Sequence, residues 1–155
     1  VSILGIINKH DIKTIQAIQA QAPEFSHFGR LPEAGDREMT TIDKIRKIGK
    51  KECGERNLNA YCINDLLAIA HVESRFNCSV IGDNGASHGC FQTHQGYHSH
   101  VKQSQAEDLN FAIDWTLNRL QHYGYPEYRS YAIMKHNGTP NTPRTLAYLN
   151  NVNSY

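Results

Sequence analysis

Nowhere does this 155-residue chain approach the roughly 20 consecutive apolar residues that a membrane-spanning helix needs. It also lacks an excess of either charge. The formal net charge is +1, so a basic face of the kind a general nucleic-acid binder uses is not expected. The one basic run, Lys44 to Lys51, reads as the solvated face of a helix. No Cys-x-x-Cys pair is present, which speaks against a structural zinc site. No His-Asp pair stands at serine-triad spacing, and no internal repeat or low-complexity tract interrupts the chain.

The composition that remains, 39% hydrophobic and 20% charged, suits one soluble globular unit with a modest core. Val1 to Ile7 is apolar but short, and is expected to be an N-terminal core segment rather than the stub of a removed leader. Four cysteines, Cys53, Cys62, Cys78 and Cys90, allow two disulfides in an oxidising compartment with three connectivities. Local pairing, Cys53 with Cys62 and Cys78 with Cys90, is preferred because each pair closes a short loop.

Helical periodicity dominates. Asp11 is expected to cap a helix carrying Ile12, Ile15 and Ile18 on one face, and Pro23 to Asp36 reads as a loop. Thr41 is expected to cap the next helix, with Ile42, Ile45 and Ile48 apolar. Asn64 is the expected cap of a third, whose residues Leu66, Leu67, Ile69, Ala70 and Val72 are apolar all round and place it inside the domain. Cys78 to Ile81, the turn Gly82-Asp83-Asn84-Gly85 and Gly89 to Gln92 predict a small hairpin. Ser104 and Glu107 form a capping-box pattern for a helix with Leu109, Ile113, Leu117 and Leu120 on one face, stopped by Gly124. A helix over Glu127 to His136 ends at Asn137-Gly138, and Thr142-Pro143 opens the last one. The expected class is α+β and mostly α-helical, with one small hairpin.

The stretch from Leu66 to Gln92 carries the chemistry. An apolar helix delivers one carboxylate, Glu73, at its end, beside a Gly-rich polar turn. Desolvation raises a carboxyl pKa toward neutrality, which suits an acid that must protonate a leaving oxygen.

From Ile63 to the C-terminus, four blocks in register resemble the lysozyme-like lytic transglycosylases and goose-type lysozymes. Glu73-Ser74, followed by Phe76 and Asn77, resembles that superfamily's Glu-Ser motif. Gly85 to Gln92 is similar to its Gly-Ala-x-Gly-x-x-Gln segment with one residue inserted, and Asp108-Leu109-Asn110 to its next block. Ala132 to Gly138 resembles Ala-x-x-x-Tyr-Asn-x-Gly, with His136 in place of the tyrosine, and Thr145 to Val152 resembles the closing helix with Tyr148 in place. His88 and Cys90 are unusual within the Gly-rich block.

This resemblance implies a lysozyme-like fold, with residues 1–60 as an N-terminal helical extension and 61–155 as the catalytic domain. It implies cleavage of the peptidoglycan bond between N-acetylmuramic acid and N-acetylglucosamine, with Glu73 as sole acid/base and 1,6-anhydro ends as product. Ser74, Gln92, His136, Asn137 and Tyr148 are the implied supporting residues. Of the two aspartates that help hold a water in goose-type lysozymes, Asp83 fits the first and His94 stands in place of the second, which leans the chemistry toward transglycosylation. No cofactor or metal is expected. The expected partners are glycan strands, for a monomeric chain that binds no nucleic acid and works in the periplasm, outside the cell or with a phage.

Each residue also has a plainer role. Glu73 can be a surface carboxylate, Ser74 a backbone tie, Gln92 a brace of the hairpin, Asn137 a helix end and Tyr148 packing. Tyr97, Tyr123, Tyr125, Tyr128 and Tyr131 can stack on sugars or fill the core. A zinc-dependent peptidoglycan peptidase or amidase using His88, His94 and His98, with His100 nearby, is the rival of another class, although the usual Glu between paired histidines is missing. A catalytically inactive glycan-binding module is the third reading.

Overall fold

The computed structural model describes residues 38–155; the expected Asp11 helix, the Pro23–Asp36 loop and the Val1–Ile7 segment lie outside them. The described residues form a mostly helical α+β unit: α1 (Thr41–Glu55), α2 (Tyr61–Ser74), a sheet of β1 (Ile81–Gly82), β2 (Ser87–His88) and β3 (Thr93–His94), then α3 (Gln103–Glu107), α4 (Leu109–His122), α5 (Arg129–Asn137) and α6 (Pro143–Asn153). Helix α1 packs on α2 and α4 and belongs to the same compact unit, Glu38–Tyr155.

α2 is the axis of the core. Leu66, Leu67, Ala68, Ile69 and Ala70 are buried in succession, so the helix is covered on every side, as its unbroken apolar run predicts. α1 presents Ile45 to the core while Lys44, Arg46, Lys47, Lys50 and Lys51 remain exposed, the solvated face expected of that run.

Four helix starts differ from the sequence reading. α1 is capped by Thr40, not Thr41. The Thr40 hydroxyl accepts the Asp43 N–H while the Asp43 carboxylate accepts the Thr40 N–H, a reciprocal pair that only Thr40 can complete. Asn64 lies inside the first turn of α2. Asn59 does the local work instead, its side-chain oxygen accepting the Tyr61 N–H at 3.1 Å. The Ser104–Glu107 pattern falls within the separate short helix α3, where the Gln105 side chain accepts the Lys102 N–H. The chain breaks at Asp108, whose carboxylate accepts the Phe111 N–H at 2.8 Å and starts α4 afresh.

α4 buries Ile113, Leu117 and Leu120 and ends before Gly124, at φ +90°. α5 begins at Arg129 rather than Glu127, because the preceding residues close a turn through the Tyr128 N–H and the Gly124 carbonyl. Thr142 caps α6 with Pro143 in its first turn, as expected.

The hairpin is in fact a three-stranded antiparallel sheet in the order β1-β2-β3. Ile81 faces His88 and Gly82 faces Ser87, while Ser87 and His88 pair on their other side with His94 and Thr93. The returning strand is thus Ser87–His88, and Gly89 to Gln92 forms the next turn. Asp83, Asn84 and Gly85 all have positive φ in the tight first turn. Gly89, at φ +78°, lies so close to α3 that a Cβ there would sit 1.9 Å from the Ala106 carbonyl oxygen. That contact seats the sheet on the helices.

Both preferred disulfides are present. Cys53–Cys62 ties the end of α1 to the start of α2, and Cys78–Cys90 ties the loop after α2 to the sheet; no cysteine among the described residues is free. Two disulfides suit an oxidising compartment. No helix of the described residues is long and apolar enough to cross a membrane. Thiol titration of the denatured, unreduced protein is expected to find no reactive thiol, and reduction should cost about 2–4 kcal/mol per bond. Four reactive thiols before reduction would contradict the pairing.

Candidate functional site

The sheet, the end of α2 and the facing ends of α4, α5 and α6 enclose a groove of about 650 Å³. Glu73, in the last turn of α2, lines it together with Asp83, Gln92, His94, His136 and Asn137. The groove therefore gathers side chains that lie up to 71 positions apart in the chain, from Glu73 to Arg144.

Glu73 is half-buried, opening only toward the groove. The Tyr148 hydroxyl, carried by α6, donates to its Oε1 at 2.6 Å. Burial pushes the carboxyl up to about 7; the Tyr148 hydrogen bond opposes this, Asp83 adds to it and Arg144 opposes it. At neutral pH this is an acid with both protonation states populated, as proton transfer in both directions requires. The Tyr148 phenol is itself held well above its ordinary range by burial and by the adjacent Glu73 carboxylate, so it stays a donor.

Tyr148→Phe is expected to move the Glu73 titration midpoint upward by about one to two pH units. The phenol favours the charged carboxylate, and a hydrogen bond to a charged group is worth on the order of 1–3 kcal/mol. Carboxyl titration by ¹³C NMR measures it. A midpoint that falls would mean that the phenol does not stabilise the charge.

Ser74 does not face the groove. Its buried hydroxyl lies 3.0 Å from the Ala70 carbonyl and 2.9 Å from that of Cys90, donating to the backbone and tying α2 to the sheet. Gln92 lines the groove, yet its amide nitrogen is spent on the carbonyls of Val80 and Gly89 and braces the first strand. Asp83 is exposed and accepts a hydrogen bond from the Ser87 hydroxyl. His94 accepts the Gly96 N–H on Nδ1 and packs against Tyr97, with ring centroids 4.5 Å apart. His136 is held neutral, pushed down to about 3 by burial and by Arg119 and His98. Its Nδ1 and the Oδ1 of Asn137 are buried with no hydrogen-bond partner among the described residues.

Of the three histidines of the metal alternative, His94 and His98 both line the groove and His88 does not. His88 is buried, with Nε2 3.0 Å from the Gly85 carbonyl oxygen and Nδ1 3.7 Å from Glu107. His98 packs edge-on against Trp115 and is pushed down to about 4, chiefly by burial. Among the described residues no group of three or more His, Cys, Asp or Glu side chains is placed to hold a metal ion.

Of the candidate stacking residues, Tyr97 and Tyr123 line the groove. Tyr125 is buried and donates to Asp65 at 2.7 Å, whereas Tyr128 and Tyr131 are exposed and not among the lining residues.

Sequence reasoning missed Trp115, Arg119, Lys135 and Arg144, all in the groove lining. A signal for the first two was there. Trp115, Arg119 and Tyr123 are spaced by four along α4 and its cap, so they share one helix face. Comparison of the chain with family models, with curated proteins and with solved structures gives no match.

Proposed function

We propose that this protein cleaves the glycan strands of peptidoglycan between N-acetylmuramic acid and N-acetylglucosamine, as a lytic transglycosylase of lysozyme-like fold. The observation that carries the reading is Glu73: one carboxyl in a groove, pushed up to about 7 and oriented by a buried phenol. The four-block resemblance supports it independently, since Glu73, Gln92, Asn137 and Tyr148 fall at or directly behind the same groove.

In the first step Glu73 gives its proton to the glycosidic oxygen, and the bond from that oxygen to the muramyl C1 breaks. The substrate's own acetamido oxygen shares the positive charge left at C1. Glu73, now a carboxylate, takes the proton of the muramyl 6-hydroxyl as its oxygen bonds to C1. The product is a 1,6-anhydro end, Glu73 is protonated again, and no water is consumed. A single carboxyl suffices because the nucleophile belongs to the substrate. Glycosidases that hydrolyse usually need two.

Asp83 is the one groove carboxylate that could activate water in a goose-type hydrolase, but it already accepts the Ser87 hydroxyl within a tight turn. Asp83→Asn is expected to keep substantial activity, and mass spectrometry of digested peptidoglycan should find ends lighter by one water than hydrolysed ones. Reducing ends throughout, with a folded but inactive Asp83→Asn, would make the protein a hydrolase.

A further inference from the structure

Some of the residues lining the groove have no part in this chemistry. On the face of α4, the Arg119 guanidinium lies 5.0 Å from the Trp115 ring centroid and 5.3 Å from that of Tyr123. Lys135, on α5, reaches the same Tyr123 ring, its Nζ 6.0 Å from the centroid. Arg119 and Lys135 both line the groove, and neither has a carboxylate partner among the described residues. The Arg119 Nε is buried and makes no hydrogen bond there. Two buried or half-buried arginines outside the groove are paired instead: Arg56 with Glu52 and Asp114, and Arg129 with Asp65.

Two cations that line one groove and approach one aromatic ring can together form a site for an anion. A guanidinium set against two rings loses less freedom on meeting a planar carboxylate, which it can grip with two parallel hydrogen bonds. We propose that Arg119 and Lys135, set around Tyr123, form a subsite for a carboxylate or phosphate carried by the glycan, through which the protein distinguishes substituted strands from bare ones. On the proposed peptidoglycan reading, on which the identity of the glycan rests, the carboxylates of the muramyl peptide stem supply this chemistry. A phosphate-bearing wall polymer is the other source. Trp115, beside the pair, offers a face to the adjoining sugar ring.

The test separates binding from cleavage. Glu73→Gln protein is titrated by calorimetry with a disaccharide carrying its peptide stem, with the same disaccharide stripped of peptide, and with inorganic phosphate. The peptide-bearing fragment should bind about tenfold or more tighter than the stripped one. That ratio should fall toward one in Arg119→Gln/Lys135→Gln and should decline with added salt. Arg119→Lys, which keeps the charge but loses the fork, should fall between.

Tight binding of phosphate alone, abolished by the same substitutions, assigns the subsite to a phosphate-bearing polymer. A ratio near one in the parent, or one unchanged in the double variant, overturns the proposal. Lys135→Gln alone serves as the second variant should the double one not fold. If the parent cleaves no peptidoglycan while the charge-dependent binding persists, the muramidase reading fails and the anion subsite stands.

Discussion

Glu73→Gln is expected to lower the rate of cell-wall cleavage at least about a hundredfold, the usual size of a general acid's contribution. Glutamine keeps the shape and can still accept the Tyr148 hydroxyl, so a loss of rate reports the missing proton rather than a damaged groove. The rate of the parent should fall as pH rises through about 7, where Glu73 loses the proton it must donate. A correctly folded Glu73→Gln protein that clears cell-wall suspensions at near-parental rate would sink the assignment.

The same substitution has a consequence for stability. Glu73 ionises near 7 in the fold against an ordinary value of 4.5, so folding favours its neutral form. That contribution is fully present below about pH 4.5 and is lost as pH rises through 7. Above that, the folded protein holds a carboxylate against its burial, at a cost of at most about 3 kcal/mol. Glu73→Gln should therefore match the parent's stability at pH 4 and exceed it at pH 8. On the proposed reading, the acid poised for catalysis is thus a site of weakness in the fold.

Arg129→Ala should be the most damaging substitution away from the groove, costing about 3–5 kcal/mol. Asp65 is 4% exposed, directly ahead of the apolar run of α2. The Arg129 Nε and one terminal nitrogen reach its two oxygens at 2.6–3.0 Å, and the Tyr125 hydroxyl donates to it at 2.7 Å. The other terminal nitrogen of Arg129 donates to Asn153 at the end of α6. One guanidinium thus joins α5 to α2 and α6. Its removal leaves a buried carboxylate with a single phenol, which is far costlier than losing an exposed pair. Denaturant unfolding measures this; a loss under about 1 kcal/mol would show the pair to be adequately served by water. Tyr125→Phe should cost only about 1 kcal/mol, because the guanidinium still covers the charge.

How much could be read in advance follows the range of each interaction. Thr142-Pro143, Gly124 and Gly138 were legible because caps and stops act within four residues. Asn64 misled for the same reason: it is a good cap residue, but Asn59 and the disulfide at Cys62 start the helix earlier. The third strand escaped notice because strands of two residues carry no periodicity. Glu73 was legible as a lone acid ending an apolar helix. Asp65 carried no local signal, since its guanidinium partner stands 64 positions later. The Arg119–Lys135 pair was invisible for a similar reason, because only the packing of α5 on α4 brings the two cations to one ring.

The phenol that completes the Glu73 acid comes 75 residues after it. A chain emerging from the ribosome therefore carries the carboxylate long before its hydrogen-bond donor. Arg144, which also bears on that carboxyl, arrives with the same helix. Any fragment that stops short of Tyr148 has an exposed glutamate at a helix end and a groove with one side missing. The reactive group thus comes into being only when α6 docks, and fragments cut before Tyr148 should be unable to assemble it.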